Sequence, residues 1–232
     1  RTVRAVLSSV GRWCCAVLLL STAVACGGDG RPPSDDTADA SASAAPPAEG
    51  QLLTALLTPR ELGTDFTGPP PAVAGSEAAE AGVSEKPLCE VDGDVDTAAE
   101  VSVGPMTDPE ATEQVFERIT VAESVAEAEE LLTLVRQRAE ARCRFDETVA
   151  ETTYTVTVRG PLDLDTDADV DADDAAGVDQ AYTGGYTGFR WDMTARRGRL
   201  LVNVQYTTTE PVDRDRALEL LRLAVDKASV LS

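Results

Sequence analysis

The chain has 232 residues, with 20 Lys and Arg against 41 Asp and Glu, no His, and a formal net charge of −21. Such a surface repels phosphate backbones, which argues against nucleic-acid binding. The missing His removes the commonest general base and the commonest transition-metal ligand.

Arg1, Arg4 and Arg12 form a cationic start, Trp13 to Ala25 is an uncharged apolar run, and Cys26-Gly27-Gly28 follows. The run is too short to span a bilayer comfortably and suits a secretory signal. Ala23-Val24-Ala25-Cys26 resembles the lipobox of bacterial lipoproteins, in which the Cys thiol takes up diacylglycerol and the chain is cut just before it. Ala23 stands where that pattern usually has Leu, and ordinary secretory cleavage is the alternative. The expectation is a signal peptide over 1–25, a lipidated Cys26 with a disordered tether over 26–50, and an extracellular domain over 51–232. The tether is Gly, Ser, Ala, Pro and Asp with hardly an apolar side chain, as a solvated linker requires. Residues 1–25 hold three Arg and no acid, so the mature chain sets 17 basic residues against 41 acidic ones, a net −24. That charge opposes docking on anionic head groups, so membrane attachment would rest on the lipid anchor.

Gln51 to Leu57 is a short apolar segment that begins the fold. Thr58-Pro59-Arg60-Glu61 fits a capping box with Pro at the first helical position, and Gly63 ends the helix. From Thr67 to Pro87 the composition predicts an irregular surface loop leading to Cys89. Val101 and Val103 mark a short strand. Over Gln114 to Val121 the alternation puts Val115, Ile119 and Val121 on one face, with Phe116 on the polar side. Ser124-Val125-Ala126-Glu127 is a second capping box. The helix behind it runs to about Arg142, with Val125, Ala128, Leu131, Leu132, Val135 and Ala139 as its inner stripe.

Three strand patterns follow, around Tyr154–Val158, Phe189–Met193 and Leu200–Tyr206. The last two are joined by a short polar link, Ala195 to Arg199, a hairpin signal. A closing helix is capped by Asp213 or Asp215 and buries Ala217, Leu220, Leu221, Ala224 and Ala228. Hairpins without βαβ alternation predict an α+β domain, an antiparallel sheet with helices packed on one face.

Cys14 and Cys15 leave with the signal and Cys26 is the anchor, so Cys89 and Cys143 remain as a pair in an oxidising compartment. They are expected to form a disulfide. A metal site without a single His is a weak alternative. The run Asp163 to Asp174 carries alternate carboxylates, but neither EF-hand register puts Gly at its sixth position and Glu at its twelfth. It is therefore expected to be a solvated, self-repelling insertion without a metal. Tyr182 to Gly188 has neither the helix nor the Lys of a phosphate loop and is expected to be a bend entering the strand at Phe189. Arg190, Asp192 and Thr194 share a strand face and could touch a polar ligand, although such residues more often form an exposed lattice worth little. No catalytic residue can be singled out.

Three features recur together: Leu56-Leu57-Thr58-Pro59-Arg60-Glu61-Leu62-Gly63, the strand and capped helix ending in Cys143, and the hairpin Phe189–Ala195 with Leu200–Tyr206 before a C-terminal helix. Together they resemble the actinobacterial sensor-domain lipoproteins, which are similar to the extracellular sensor domain of mycobacterial receptor Ser/Thr protein kinases. The resemblance implies a non-catalytic domain, without a cofactor, that binds an unidentified ligand or envelope protein. Two other functions compete with ligand sensing. A structural lipoprotein docking on an envelope protein would show an exposed apolar patch. A hydrolase would show a buried carboxylate pair.

Overall fold

The structure, a computed structural model, describes residues 45–63, 65–73, 89, 97–149, 152–166, 170–185 and 187–231. Cys26, the signal peptide and most of the tether lie outside the described residues, as does most of the stretch 74–96.

The elements in chain order are α1 (Glu49–Ala55), α2 (Pro59–Leu62), β1 (Ala72–Val73), β2 (Thr97–Thr107), β3 (Glu113–Ala122), α3 (Val125–Ala141), β4 (Arg144–Val149), β5 (Thr152–Pro161), β6 (Asp174–Gly184), β7 (Gly188–Arg197), β8 (Leu200–Thr208) and α4 (Arg214–Ala228). The strands form one sheet in the order β1-β2-β3-β8-β7-β6-β5-β4, and every neighbouring pair is antiparallel. The α+β class and the antiparallel sheet are as the sequence predicts.

The caps form where the sequence places them. Glu61 Oε2 accepts from the backbone N–H of Thr58 at 2.7 Å and from its hydroxyl at 2.8 Å. Ser124 Oγ accepts from the N–H of Glu127 at 3.2 Å. Asp213, rather than Asp215, caps α4 through the N–H groups of Asp215 and Arg216. Each satisfies donors that a helix start leaves open.

The helices divide between the two faces of the sheet, where the sequence reading had them together. Val202, Val204 and Tyr206 of β8 pack with Val115 and Ile119 of β3, Leu52 of α1, and Leu220, Leu221 and Ala224 of α4. Leu201, one residue along β8 and so on the other face, packs with Ala128 and Leu132 of α3, Ala122 and Ala176. Further along α3, Ala139 meets Val158 of β5 and Val178 of β6. Val125, expected in the inner stripe of α3, is 45% exposed. The buried stripe begins at Ala128, which is 0% exposed.

Three strands are absent from the sequence reading: β4, β6 and the two-residue β1, which lies in the stretch expected to be an irregular loop and is held extended by pairing with β2. β6 (DAAGVDQAYTG) contains Gly, Ala and Asp, which are poor strand formers; pairing on both sides by β5 and β7 holds it extended. Gly177 within it sits in a crowded place, since a Cβ there would lie 2.8 Å from Leu162 Cδ1 and 3.1 Å from the Asp192 carbonyl oxygen. β4 (RFDETV) is a charged edge strand, and charge on an edge blunts its pairing with other chains. The hairpin link is also shorter than expected. β7 runs through Arg197, leaving only Gly198 and Arg199 in the turn, with Gly198 at φ 55°.

The acidic run is not a free insertion over its described part. Val170 is 2% exposed in the main core. Asp173 Oδ2 accepts from the Gly198 N–H at 2.7 Å and lies 3.5 Å from Arg196 Nη1. Asp171 pairs with Arg197 at 3.2 Å, and Asp174 opens β6 while pairing with Arg136 of α3 at 2.5 Å. Arginines of β7 and α3 offset the self-repulsion that the sequence suggested. Residues 167–169 lie outside the described part.

Candidate functional site

α3 crosses only the end of its face that carries Ala122, Leu201, Ala176 and Val158. Over the other half of that face, no described helix packs. Cross-strand register places its residues in rows. Gln114 of β3 lies opposite Thr207 of β8, Thr207 opposite Arg190 of β7, and Arg190 opposite Gln180 of β6. The next row holds Phe116, Gln205 and Asp192 and ends at Val178 of β6, where Ala139 of α3 packs. Arg118 and Asn203 follow in the row beyond. Alternation makes this half-face polar because the partners of these strands on the opposite face, such as Val115, Met193 and Val204, build the core.

The side chains are fixed by one another. Arg190 donates from Nε to Thr207 Oγ1 at 3.0 Å and stacks its guanidinium 4.7 Å from the centre of the Tyr182 ring. The Tyr182 hydroxyl donates to Gln180 Oε1 at 2.9 Å. Asn203 donates to Asp192 Oδ1 at 2.6 Å and to Thr194 Oγ1 at 2.9 Å. Arg118 lies 5.7 Å from the Phe116 ring and 3.6 Å from Glu100. Burial pushes the Tyr182 phenol up, opposed by Arg190 and reinforced by Glu147 and Asp192, so it is a neutral hydrogen-bond donor at any ordinary pH.

Arg190, Asp192 and Thr194 do share a face. They are half-buried or buried and bonded into β8, so the exposed-lattice reading fails for them. The Tyr182–Gly188 segment divides: Tyr182, Thr183 and Gly184 end β6 and Gly188 opens β7, so the glycines make a hairpin turn. Gln180 and Gln205 were missed because β6 was not recognised and because Gln205 is unremarkable until its neighbours are known.

Cys89 and Cys143 are joined, with Cα atoms 5.4 Å apart, within bridging range. Both pack against the cluster of Ala139, Val158 and Val178. Cys143 is held in addition by its carbonyl, which accepts from the Val158 N–H at 2.9 Å. Among the described residues, no three His, Cys, Asp or Glu side chains gather as a metal site.

A second buried polar group lies on the opposite face. Glu117 of β3 is 0% exposed between Val115 and Ile119. Its Oε2 accepts the Leu57 N–H at 2.5 Å. Burial pushes its carboxyl up to about 8, against the pull of that N–H and of Lys227. Lys227 Nζ donates to the Leu56 carbonyl and to Glu61 Oε2, both at 2.7 Å. Arg216 Nη2 donates to the Leu62 carbonyl at 2.6 Å. The buried Glu117 carboxyl of β3 and two cations of α4 thus bind the backbone around the α1–α2 joint. Leu56 and Leu57, 1% and 0% exposed, lie at the same joint, so Glu117 is shut away from solvent and placed for structure. The strand pattern that puts Val115 and Ile119 inside also puts Glu117 there, and this was the signal available in the sequence.

The sequence matches no protein-family model and no curated protein. Among solved structures it is similar to the extracellular domain of PknH from Mycobacterium tuberculosis, with TM-score 0.61 and 14% identity over 80% of this chain and 98% of that one. An uncharacterized protein of Mycobacterium smegmatis, an ortholog of Rv0999, matches at TM-score 0.40 and 12% identity over 72% of this chain and 91% of that one. The shared property with the PknH domain is the fold, as the resemblance to kinase sensor domains implies.

Proposed function

We propose that this chain is an extracytoplasmic, lipid-anchored binding domain without catalytic activity, and that the half-face of the sheet left open by α3 is its ligand surface. The observation that carries the reading is the set of polar side chains there, held in place by hydrogen bonds and ring stacking, on rigid central strands. Preorganised polar groups on a scaffold are what a specific site needs, and the fold is one found in an extracellular domain. An apolar docking surface has less support. The exposed large hydrophobics among the described residues are Val125 and Val230, which form no patch.

The ligand surface is tested by thermal shift of the full chain against a low-mass extract of cell envelope. A ligand present at a hundred times its Kd stabilises by about 2.7 kcal/mol, roughly 5–11 °C for a domain of this size. Gln205→Trp, which covers the half-face, is expected to abolish the shift without lowering the melting temperature of the free protein by more than a few degrees. An equal shift in Gln205→Trp, or none in the parent protein with any fraction, would refute the assignment.

For the anchor, Cys26→Ala is expected to move the protein from the membrane fraction to the medium or leave it unprocessed. No described helix is long and apolar enough to cross a membrane, so the lipid is the attachment proposed here. A correctly cleaved Cys26→Ala protein still retained on membranes would rule the anchor out.

A further inference from the structure

Arg136, Arg159, Arg196, Arg197 and Arg216 each lie within 4 Å of a carboxylate. Arg190 has no ion pair among the described residues, in a chain of formal charge −21. Its guanidinium is nonetheless immobilised, by Thr207 on its Nε and by the Tyr182 ring beneath it. Both contacts leave the Nη edge unengaged. Gln180 beside it is 2% exposed, and the Tyr182 hydroxyl occupies its Oε1, so its amide NH2 remains as a donor.

We propose that Arg190, with Thr207 and Gln180 on either side of it, is a carboxylate-binding site, and that the ligand of the open half-face presents a single carboxylate to it. This rests on the half-face being the ligand surface. A guanidinium offers two parallel N–H donors at the spacing of carboxylate oxygens. Holding it in place beforehand removes the entropy cost of fixing a long side chain on binding. The charge selects a monoanion. Asp192 stands in the next row and Glu147 lies close enough to act on Tyr182, so one positive charge meets two negative ones nearby. A phosphate or sulfate dianion doubles the attraction and the repulsions alike, but its desolvation cost rises with the square of its charge, and one half-buried cation does not offset that.

Equilibrium dialysis of the full chain against radiolabelled benzoate tests this, with acetate, neutral benzamide, phosphate and sulfate as competitors. Saturable binding at one site is expected, displaced by acetate and unaffected by benzamide or by either dianion. Arg190→Gln should weaken it at least tenfold, and Thr207→Val, which removes the acceptor that fixes the guanidinium, severalfold. No saturable binding, displacement by benzamide, displacement by phosphate or sulfate at concentrations where acetate also acts, or benzoate affinity unchanged in both variants would each overturn the proposal. An envelope extract that stabilises the parent protein and not Gln205→Trp, beside a failed benzoate experiment, would leave the ligand surface standing and dismiss the carboxylate.

Discussion

Reducing the Cys89–Cys143 bond, or replacing Cys143 with Ser, is expected to lower the melting temperature of the domain by roughly 8–15 °C. The bond closes a separation of 54 residues, for which the chain-entropy model assigns about 4 kcal/mol; domains of this size lose about 2–4 °C per kcal/mol. The structure says where the loss would be felt. Cys143 follows α3 by one residue, Arg142, whose φ of 46° turns the chain from helix into β4. The Val158 N–H already ties Cys143 to β5, so Cys143 is the fixed end. Cys89 is the dependent end, because it arrives from a stretch rich in Pro, Gly, Ala and Glu that has little apolar area to bury. Cleavage by protease between residues 74 and 96 should therefore accelerate on reduction well below the melting temperature. Non-reducing peptide mass mapping of the exported protein gives the first check. Free thiols at both positions, or a melting temperature unmoved by reductant, would dispose of the prediction.

The second large effect concerns pH. Burial raises the folded-state pKa of Glu117 to about 8 from an ordinary 4.5. Between those values the folded protein holds a proton that the unfolded chain gives up. The stabilisation is thus present in full below about pH 4.5 and is lost as pH rises through about 8. The full span corresponds to a few kcal/mol. Many surface carboxylates titrate over the lower part of the same window, so the parent protein alone does not isolate Glu117. The comparison with Glu117→Gln does. Gln can accept the Leu57 N–H through its Oε1 and carries no charge, and Lys227 keeps its bonds to Leu56 and Glu61. Glu117→Gln is expected to match the parent protein near pH 4.5 and exceed it by about 1–3 kcal/mol at pH 8, measured by urea denaturation. Parallel stability curves for the two proteins would show that Glu117 is ionised in the fold.

Stabilisation by Glu117→Gln would also identify what the carboxylate does in the native chain. Leu57 has its N–H bound by the buried Glu117 carboxyl, and Leu56 and Leu62 have their carbonyls bound by Lys227 and Arg216. The hydrophobic burial of Leu52, Leu56, Leu57 and Leu62 supplies the attraction, and these bonds set the register of the α1–α2 joint on the sheet.

The amino-acid sequence by itself determined the elements whose signal is local. Thr58 and Glu61, Ser124 and Glu127, and Asp213 cap helices because a side chain three residues or fewer away meets a free N–H, and nothing distant takes part. The buried stripe of α4 and the alternation of β3 and β8 follow from the periods of helix and strand. Tertiary structure decided what depends on neighbours. β6 is a strand because β5 and β7 pair with it, in spite of its Gly, Ala and Asp. The helices lie on both faces because Leu201 and Ala176 give α3 an apolar footing on the face opposite α4. Arg190 shows the same limit at the candidate site. The sequence places it on a strand face with Asp192 and Thr194, but its distinguishing feature is the fixed guanidinium over Tyr182 beside Gln180 and Thr207. Those partners lie between 8 and 17 residues away along the chain and meet only through the registers of β6, β7 and β8. Register is set by the pairing of whole strands and the burial of their shared face, and no local pattern encodes it.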